Sequence, residues 1–229
     1  MFANNEIGTV QPIKELCDVA HENGSLFHTD AVQAVGHISI NVHNLGVDML
    51  SASAHKFNGP KGVGFLYIRN GIEILPYSDG GAQESGLRAG TENIAGIVGM
   101  AVALKNNCDA LEENVKHVRG LESKLVDMLD NTGIQYTRNG GADRLPGLVS
   151  LSFPGIEGEA ILHRLDLNGI CVSTGSACNS KSTEVSHVLQ AIRLEDSYAK
   201  GTIRISLGKA NTEDEVEAIF NALVKIFRI

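Results

Sequence analysis

The chain has 229 residues, of which 43% are hydrophobic and 20% are charged, a composition that is typical of a folded soluble protein and excludes a disordered one. The formal net charge of -8 argues against nonspecific nucleic-acid binding, because that binding draws its energy from lysines and arginines placed on phosphates. No apolar run is long enough to span a bilayer, so we expect a cytoplasmic protein with no membrane partner.

The first half of the chain alternates short strands with helices. Apolar residues recur at helical spacing after Pro12, and strand-like runs follow in SLFHTD, VDMLSA and Gly62 to Ile68. A small helix is expected directly after Asp30. Polar side chains gather where these strands end, which predicts an α/β sheet with a functional site at one edge. The polar residues at these ends are Asn5, Asp30, Gln33, Ser53, His55 and Lys56.

The second half has a different pattern. A helical pattern runs from Glu92 to about Met128 and weakens between Lys105 and Asp109, where we place a domain boundary. We therefore expect a large domain in residues 1–108 and a small α+β domain in residues 109–229. The last helix should begin at Thr212, because Thr212 and Glu215 have the spacing of a capping box.

The four cysteines form no CxxC pair, and a chain of this length needs no disulfides, so we expect free thiols. Cys171 and Cys178 with His187 fit none of the usual zinc spacings, and no intrinsic metal is expected. Cys171 stands between apolar residues and is predicted to be buried. Cys178 lies in the polar run STGSACNSKS, which favours an accessible thiol suited to nucleophilic or redox work.

Lys56 and Asp30 each allow two interpretations. Lys56 is either a solvated loop residue or an amine that forms an imine with a carbonyl cofactor. Asp30 is either a helix cap or a carboxylate that pairs with a cationic ring nitrogen. Pyridoxal phosphate requires both protein groups, since its protonated ring accepts the electrons left when a bond at the substrate α-carbon breaks.

Other polar residues are compatible with the same cofactor. Ser53, His55 and Thr91 are either ordinary loop residues or donors to a phosphate. Arg204, in the strand-like run TIRISLG, is either a surface or ion-pair arginine or a bidentate partner for a substrate carboxylate.

Taken together, these stretches resemble the cysteine desulfurases of the NifS and IscS type, which belong to the class V aminotransferase group and have a fold-type I architecture. The matching stretches are NNEIG, HTDAVQ, SASAHKFNGPKGVG, GGAQESGLRAGTEN, SLSFPGIEGEAIL, STGSACNS and IRISLG, in the family's order. The resemblance covers the whole chain. It implies the C-terminal part of a mainly parallel sheet in the first domain, with the active-site cysteine loop in the second.

The resemblance also implies a role for each site residue. Lys56 carries pyridoxal phosphate as an imine, Asp30 pairs with its ring nitrogen, and Asn5 and Gln33 bond near its phenolic oxygen. The implied phosphate ligands are Ser53, His55 and, from the other subunit of a homodimer, Thr91. The implied substrate ligands are Asn5 and Arg204, and the catalytic residues are Lys56 and Cys178.

By the same resemblance, the chain converts L-cysteine to L-alanine and forms a persulfide on Cys178. The sulfur then passes to an acceptor for thiolation or to an iron–sulfur scaffold protein, where Cys178 contacts the cluster transiently. Two alternatives stay open: a selenocysteine lyase or another enzyme of the class V aminotransferase group, and a cofactor-free fragment that acts as an interaction module.

The sequence differs from the family in one respect. Family members begin well upstream, with a large N-terminal segment that holds a phosphate-binding turn and a histidine that stacks on the cofactor ring. The chain is therefore expected to be N-terminally truncated.

Overall fold

A computed structural model of the chain describes residues 1–174 and 185–227. These residues divide into two units, one formed by residues 1–2 and 11–111 and the other by residues 3–10 and 112–229 within the described range. The helices are α1 (Ile13–Glu22), α2 (Val42–Leu45), α3 (Ile94–Asp109), α4 (Leu111–Asp130), α5 (Gly158–Asp166), α6 (His187–Ala191), α7 (Asp196–Ala199) and α8 (Glu213–Phe227). The strands are β1 (His28–Asp30), β2 (Met49–Ser53), β3 (Gly64–Ile68), β4 (Thr137–Arg138), β5 (Leu148–Ser152), β6 (Ser173–Thr174) and β7 (Thr202–Ser206).

The first unit contains a three-stranded sheet in the order β1-β2-β3. Strands β1 and β2 are parallel, with Asp30 opposite Ser51, and β3 returns antiparallel to β2. In β2 the side chains alternate between buried and half-buried, so one face of this strand packs into the core. The carboxyl ends of β1 and β2 therefore lie at the same edge of the sheet.

The second unit contains a four-stranded sheet in the order β4-β5-β7-β6, and all its neighbouring strands are antiparallel. Every residue of β5 is buried, and the core beside it includes Leu125, Phe153, Ile161 and Leu223. Two serines of this strand are buried without loss of hydrogen bonding, because Asn139 Nδ2 donates to Ser150 Oγ at 3.1 Å and to Ser152 Oγ at 2.7 Å.

Helix α8 begins as the capping box predicts. The Thr212 N–H donates to Glu215 Oε2 at 2.9 Å, and the Glu215 N–H donates to Thr212 Oγ1 at 3.3 Å. Helices α3 and α4 are separated at Ala110, next to the predicted break between Lys105 and Asp109. Within the described residues, no helix combines the length and apolarity needed to cross a membrane.

Gly120 lies in the interior of α4, and a Cβ added there meets no atom within 4 Å. Gly120→Ala is expected to raise the free energy of unfolding by about 0.5–1 kcal/mol, because glycine loses more backbone entropy than alanine when it enters a helix. Urea unfolding of the two proteins measures this difference. The matched control is Gly158→Ala in α5, where the added Cβ would lie 2.5 Å from the Thr202 carbonyl oxygen, and this variant should be less stable than the parent.

Candidate functional site

Lys56 lies in a short 3₁₀ turn, Ala54–Phe57, that directly follows β2. Its neighbours Ala54 and Phe57 are fully buried, whereas Lys56 itself is exposed. Asn58 ends the turn in the left-handed conformation, with φ of 66°. The Lys56 amine makes no hydrogen bond or ion pair with any residue in the described part of the chain. The backbone of Lys56 is therefore fixed by the turn, and its amine is available to a ligand.

Ser53 and His55 flank the same strand end. The Ser53 hydroxyl and His55 Nδ1 lie 2.7 Å apart, within hydrogen-bond distance. Ser53 is half-buried at the end of β2, and His55 is exposed. This hydroxyl and this imidazole form a pair of polar groups, three residues and one residue before the turn lysine, that could both bind a phosphate.

Asp30 ends β1, the parallel neighbour of β2. One carboxylate oxygen, Oδ1, accepts the N–H of Val32 at 2.9 Å, so Asp30 does cap the turn that follows it. This turn contains Gln33, which is half-buried. No hydrogen bond to the second oxygen, Oδ2, occurs among the described residues, which leaves one acceptor for a further partner. Because parallel strands end at the same edge, the structure brings Asp30 and Lys56 to that edge of the sheet.

Thr91 ends the glycine-rich loop, also in the first unit. It is exposed, and its hydroxyl makes no hydrogen bond with a described residue. The fold of this unit thus leaves Thr91 available but shows no contact that links it to Ser53 or His55.

Arg204 and Asn5 belong to the second unit and are in contact there. Arg204 donates from Nη1 to the Asn5 carbonyl oxygen at 2.7 Å and from Nη2 to Ser173 Oγ at 3.3 Å. In the sheet, Arg204 of β7 stands between Ser150 of β5 and Ser173 of β6. The guanidinium is therefore oriented by a backbone carbonyl and a hydroxyl.

Ser173 is a functional candidate that the sequence did not single out. The signal was weak, because the residue reads as the end of an ordinary strand, and only the antiparallel pairing of β6 with β7 places it beside Arg204. The loop that carries Asn5 is also shaped locally, since Asn4 Oδ1 accepts the N–H groups of Glu6 at 2.8 Å and Ile7 at 3.0 Å.

Cys178 lies outside the described residues, so its predicted accessibility stays a prediction. The other three cysteines are free, as expected: Cys17 is buried and Cys108 and Cys171 are exposed. Burial raises the pKa of the Cys17 thiol, which therefore stays protonated at neutral pH. The predicted burial of Cys171 was wrong. Its neighbours Ile170 and Val172 pack against the core of the second unit, whereas Cys171 between them is exposed.

Across residues 1–174 and 185–227, no group of three or more histidine, cysteine, aspartate or glutamate side chains is placed to hold a metal ion.

Residues 1–219 match the family model described as Aminotransferase class-V. The chain is similar to the cysteine desulfurase IscS of Clostridium botulinum strain Hall, with 48% identity over 231 residues that cover 100% of this chain and 58% of the relative. The chain thus spans less than two thirds of that relative's length.

Two solved structures are also similar. The NifS-like protein from Rickettsia africae superposes with a TM-score of 0.90 and 33% identity, covering 100% of this chain and 61% of that one. A structure titled SspA in complex with cysteine superposes with a TM-score of 0.72 and 35% identity, covering 92% of this chain and 58% of that one.

Proposed function

Since the chain belongs to the class-V aminotransferase family, we propose that it acts as a cysteine desulfurase, or as the greater part of one, on L-cysteine. The observation that carries the proposal is the placement of an unpartnered Lys56 amine and a partly unpartnered Asp30 carboxylate at one edge of one sheet. The name of the Clostridium relative and the cysteine complex of SspA support the choice of reaction and substrate.

The described residues fit pyridoxal phosphate. Lys56 offers a free amine, Asp30 a carboxylate oxygen without a partner, and Ser53 with His55 a pair of polar groups in the same unit. When bound, this cofactor supplies an electron sink for the bonds of the substrate α-carbon. We propose that Lys56 and Asp30 hold its carbonyl and ring-nitrogen ends. Ser53 and His55 would hold its phosphate.

The remaining assignments extend the same proposal. Gln33 and Asn5 would bond near the phenolic oxygen, and Thr91 would reach the phosphate of the other subunit in a homodimer. Residues 1–108 would then serve as the cofactor-binding part and residues 109–229 as the domain that presents the cysteine loop.

The protein's own groups would divide the reaction among them. Arg204 would bind the α-carboxylate of cysteine, with its guanidinium held by the Asn5 carbonyl and Ser173. The Lys56 amine would take and return a proton at the substrate α-carbon. Cys178, as a thiolate, would attack the substrate sulfur: an S–S bond forms, the C–S bond breaks, and its electron pair leaves with the carbon, which is protonated to give alanine.

The product of this step is a persulfide on Cys178. We propose that a sulfur-acceptor or iron–sulfur scaffold protein in the cytoplasm then receives the sulfur. A loop is a suitable carrier, because the sulfur has to be collected at one position and delivered at another.

The test is a visible absorption spectrum of the chain mixed with pyridoxal phosphate. We expect a protein-dependent band that Lys56→Ala abolishes and that Lys61→Ala, a change at a second exposed lysine of the same loop, leaves in place. A band of equal strength in Lys56→Ala would show that Lys56 does not hold the cofactor. Absence of the band from the parent chain would instead favour a cofactor-free interaction module.

A further inference from the structure

The backbone that carries Lys56 is held by two side chains that are distant in sequence. His37 Nε2–H donates to the carbonyl oxygen of Lys56 at 2.8 Å, and Asn107 Nδ2–H donates to the carbonyl oxygen of Phe57 at 2.7 Å. His37 lies in the turn that follows β1, and Asn107 lies in the last part of α3. Two successive carbonyls at the end of the lysine turn are thus tied to two different elements.

Asn107 is itself fixed. Its side chain is 5% exposed, and Nδ2 also donates to the Ala103 carbonyl of its own helix at 2.8 Å, so both amide hydrogens are engaged. An amide that bridges its own helix to the lysine turn holds that turn at a set distance from α3.

The side chain of Phe57 is also held, by the turn that contains Gly36. The phenylalanine is fully buried, and a Cβ added to Gly36 would lie 2.8 Å from Phe57 Cβ. Gly36 has φ of +79°, a conformation that glycine adopts without strain, and it immediately precedes His37. The same turn therefore packs against Phe57 and binds the carbonyl of Lys56.

We propose that His37 and Asn107 are positioning residues for Lys56, which fix the backbone from which its side chain extends toward the cofactor. This inference rests on the proposed function of Lys56 as the residue that holds the cofactor. The Lys56 amine has no partner among the described residues, so no contact there orients the side chain directly. The backbone position of Lys56 therefore determines where its amine can reach, and a displacement of about 1 Å at a reacting group can cost about 10²-fold in rate.

The experiment compares variants that differ in one donor. His37→Leu and Asn107→Asp remove the N–H donors with little change in size, and His37→Gln keeps a donor near the position of Nε2. His37 is only half-buried, so its variants should fold even if Asn107→Asp does not.

Two readouts are used. The first is hydrogen exchange at the Gly59 amide, which closes the lysine turn by donating to the Ala54 carbonyl at 2.8 Å, compared with the amides of β2. The second is borohydride trapping of pyridoxal phosphate, with the ratio of label at Lys56 to label at Lys61 measured by mass spectrometry.

We expect His37→Leu and Asn107→Asp to speed exchange at Gly59 by about tenfold, with β2 unchanged, and to lower the Lys56 to Lys61 ratio by about tenfold. His37→Gln should resemble the parent in both readouts. Unchanged exchange in both donor-free variants would overturn the proposal, as would faster exchange with an unaltered ratio, since the two residues would then be structural only.

The two proposals fail in different ways. If the parent chain itself is not labelled at Lys56, the proposed function fails for this chain. Hydrogen exchange at Gly59 still tests whether His37 and Asn107 hold the lysine turn in that case, because this measurement involves no cofactor.

Discussion

Replacing Cys178 with alanine is expected to abolish the formation of alanine from L-cysteine while leaving the Lys56-dependent absorption band intact. In the proposed mechanism the thiolate attacks the substrate sulfur and the C–S bond breaks, so loss of the thiolate should stop the reaction after the cofactor has been loaded. We expect a decrease of about 10³-fold or more, in the range found when a nucleophile or acid–base group is removed. Alanine and sulfide are measured in the presence of a thiol reductant.

Two matched variants make this result specific. Cys171→Ala removes an exposed thiol seven residues earlier and should retain the parent rate. Lys56→Ala should lose both the band and the reaction. If Cys178→Ala kept the parent rate, sulfur would leave by a route that does not use this cysteine, as the alternative of a selenocysteine lyase or another enzyme of the group would allow.

Local patterns in the sequence predicted the elements that depend on neighbouring residues. The start of α8 was correct because the capping box is formed between residues three positions apart. The break between α3 and α4 was correct because it coincides with a gap in the apolar repeat. The resemblance to the class V aminotransferase group and the fold class are confirmed by the family match and by the TM-score of 0.90.

Predictions were less accurate for elements that depend on partners elsewhere in the chain. The small helix expected after Asp30 is absent, and residues 31–38 form turns, with Asp30 accepting the N–H of Val32 and Gly36 in the left-handed conformation. Strand β4 begins only at Thr137, the last residue of the strand-like run IQYT, because its length is set by pairing with β5.

In the candidate site, too, residues with a local sequence signal could be predicted and residues that act through distant contacts could not. Asp30, Ser53 and Lys56 were predicted as site residues because each lies at or just after the end of a strand, and strand ends can be read from the sequence. The groups that hold such residues in place carry no local signal. His37 looks like an ordinary turn residue and Asn107 like a polar interruption of a helix, and only the packing of α3 against the lysine turn gives them a role.

Asp48 is a second residue whose importance only the structure reveals. Its side chain is fully buried just before β2, although the sequence shows it only as a polar interruption of the strand-like run VDMLSA. Oδ2 accepts the Phe27 N–H at 2.7 Å and His21 Nε2 at 2.8 Å, and Oδ1 accepts from Arg69 Nη2. One carboxylate thus joins α1, the segment before β1 and the end of β3.

Asp48→Ala is expected to lower the free energy of unfolding of the first unit by about 2–4 kcal/mol, because the Phe27 N–H and His21 lose a hydrogen-bond partner and Arg69 loses its anion. The lower part of that range applies if Arg69, which is 40% exposed, recovers hydration. The free energy of unfolding of Asp48→Asn should lie between those of Asp48→Ala and the parent, since the amide keeps one acceptor oxygen but turns an N–H donor toward other donors. Hydrogen exchange of β2 amides under urea measures the stability of this unit.

The control is Asp18→Ala. Asp18 pairs with Lys14, both side chains are about half exposed, and loss of this pair should change stability by less than about 0.5 kcal/mol. An equally small effect in Asp48→Ala would contradict this role, since water would then replace the carboxylate at no cost.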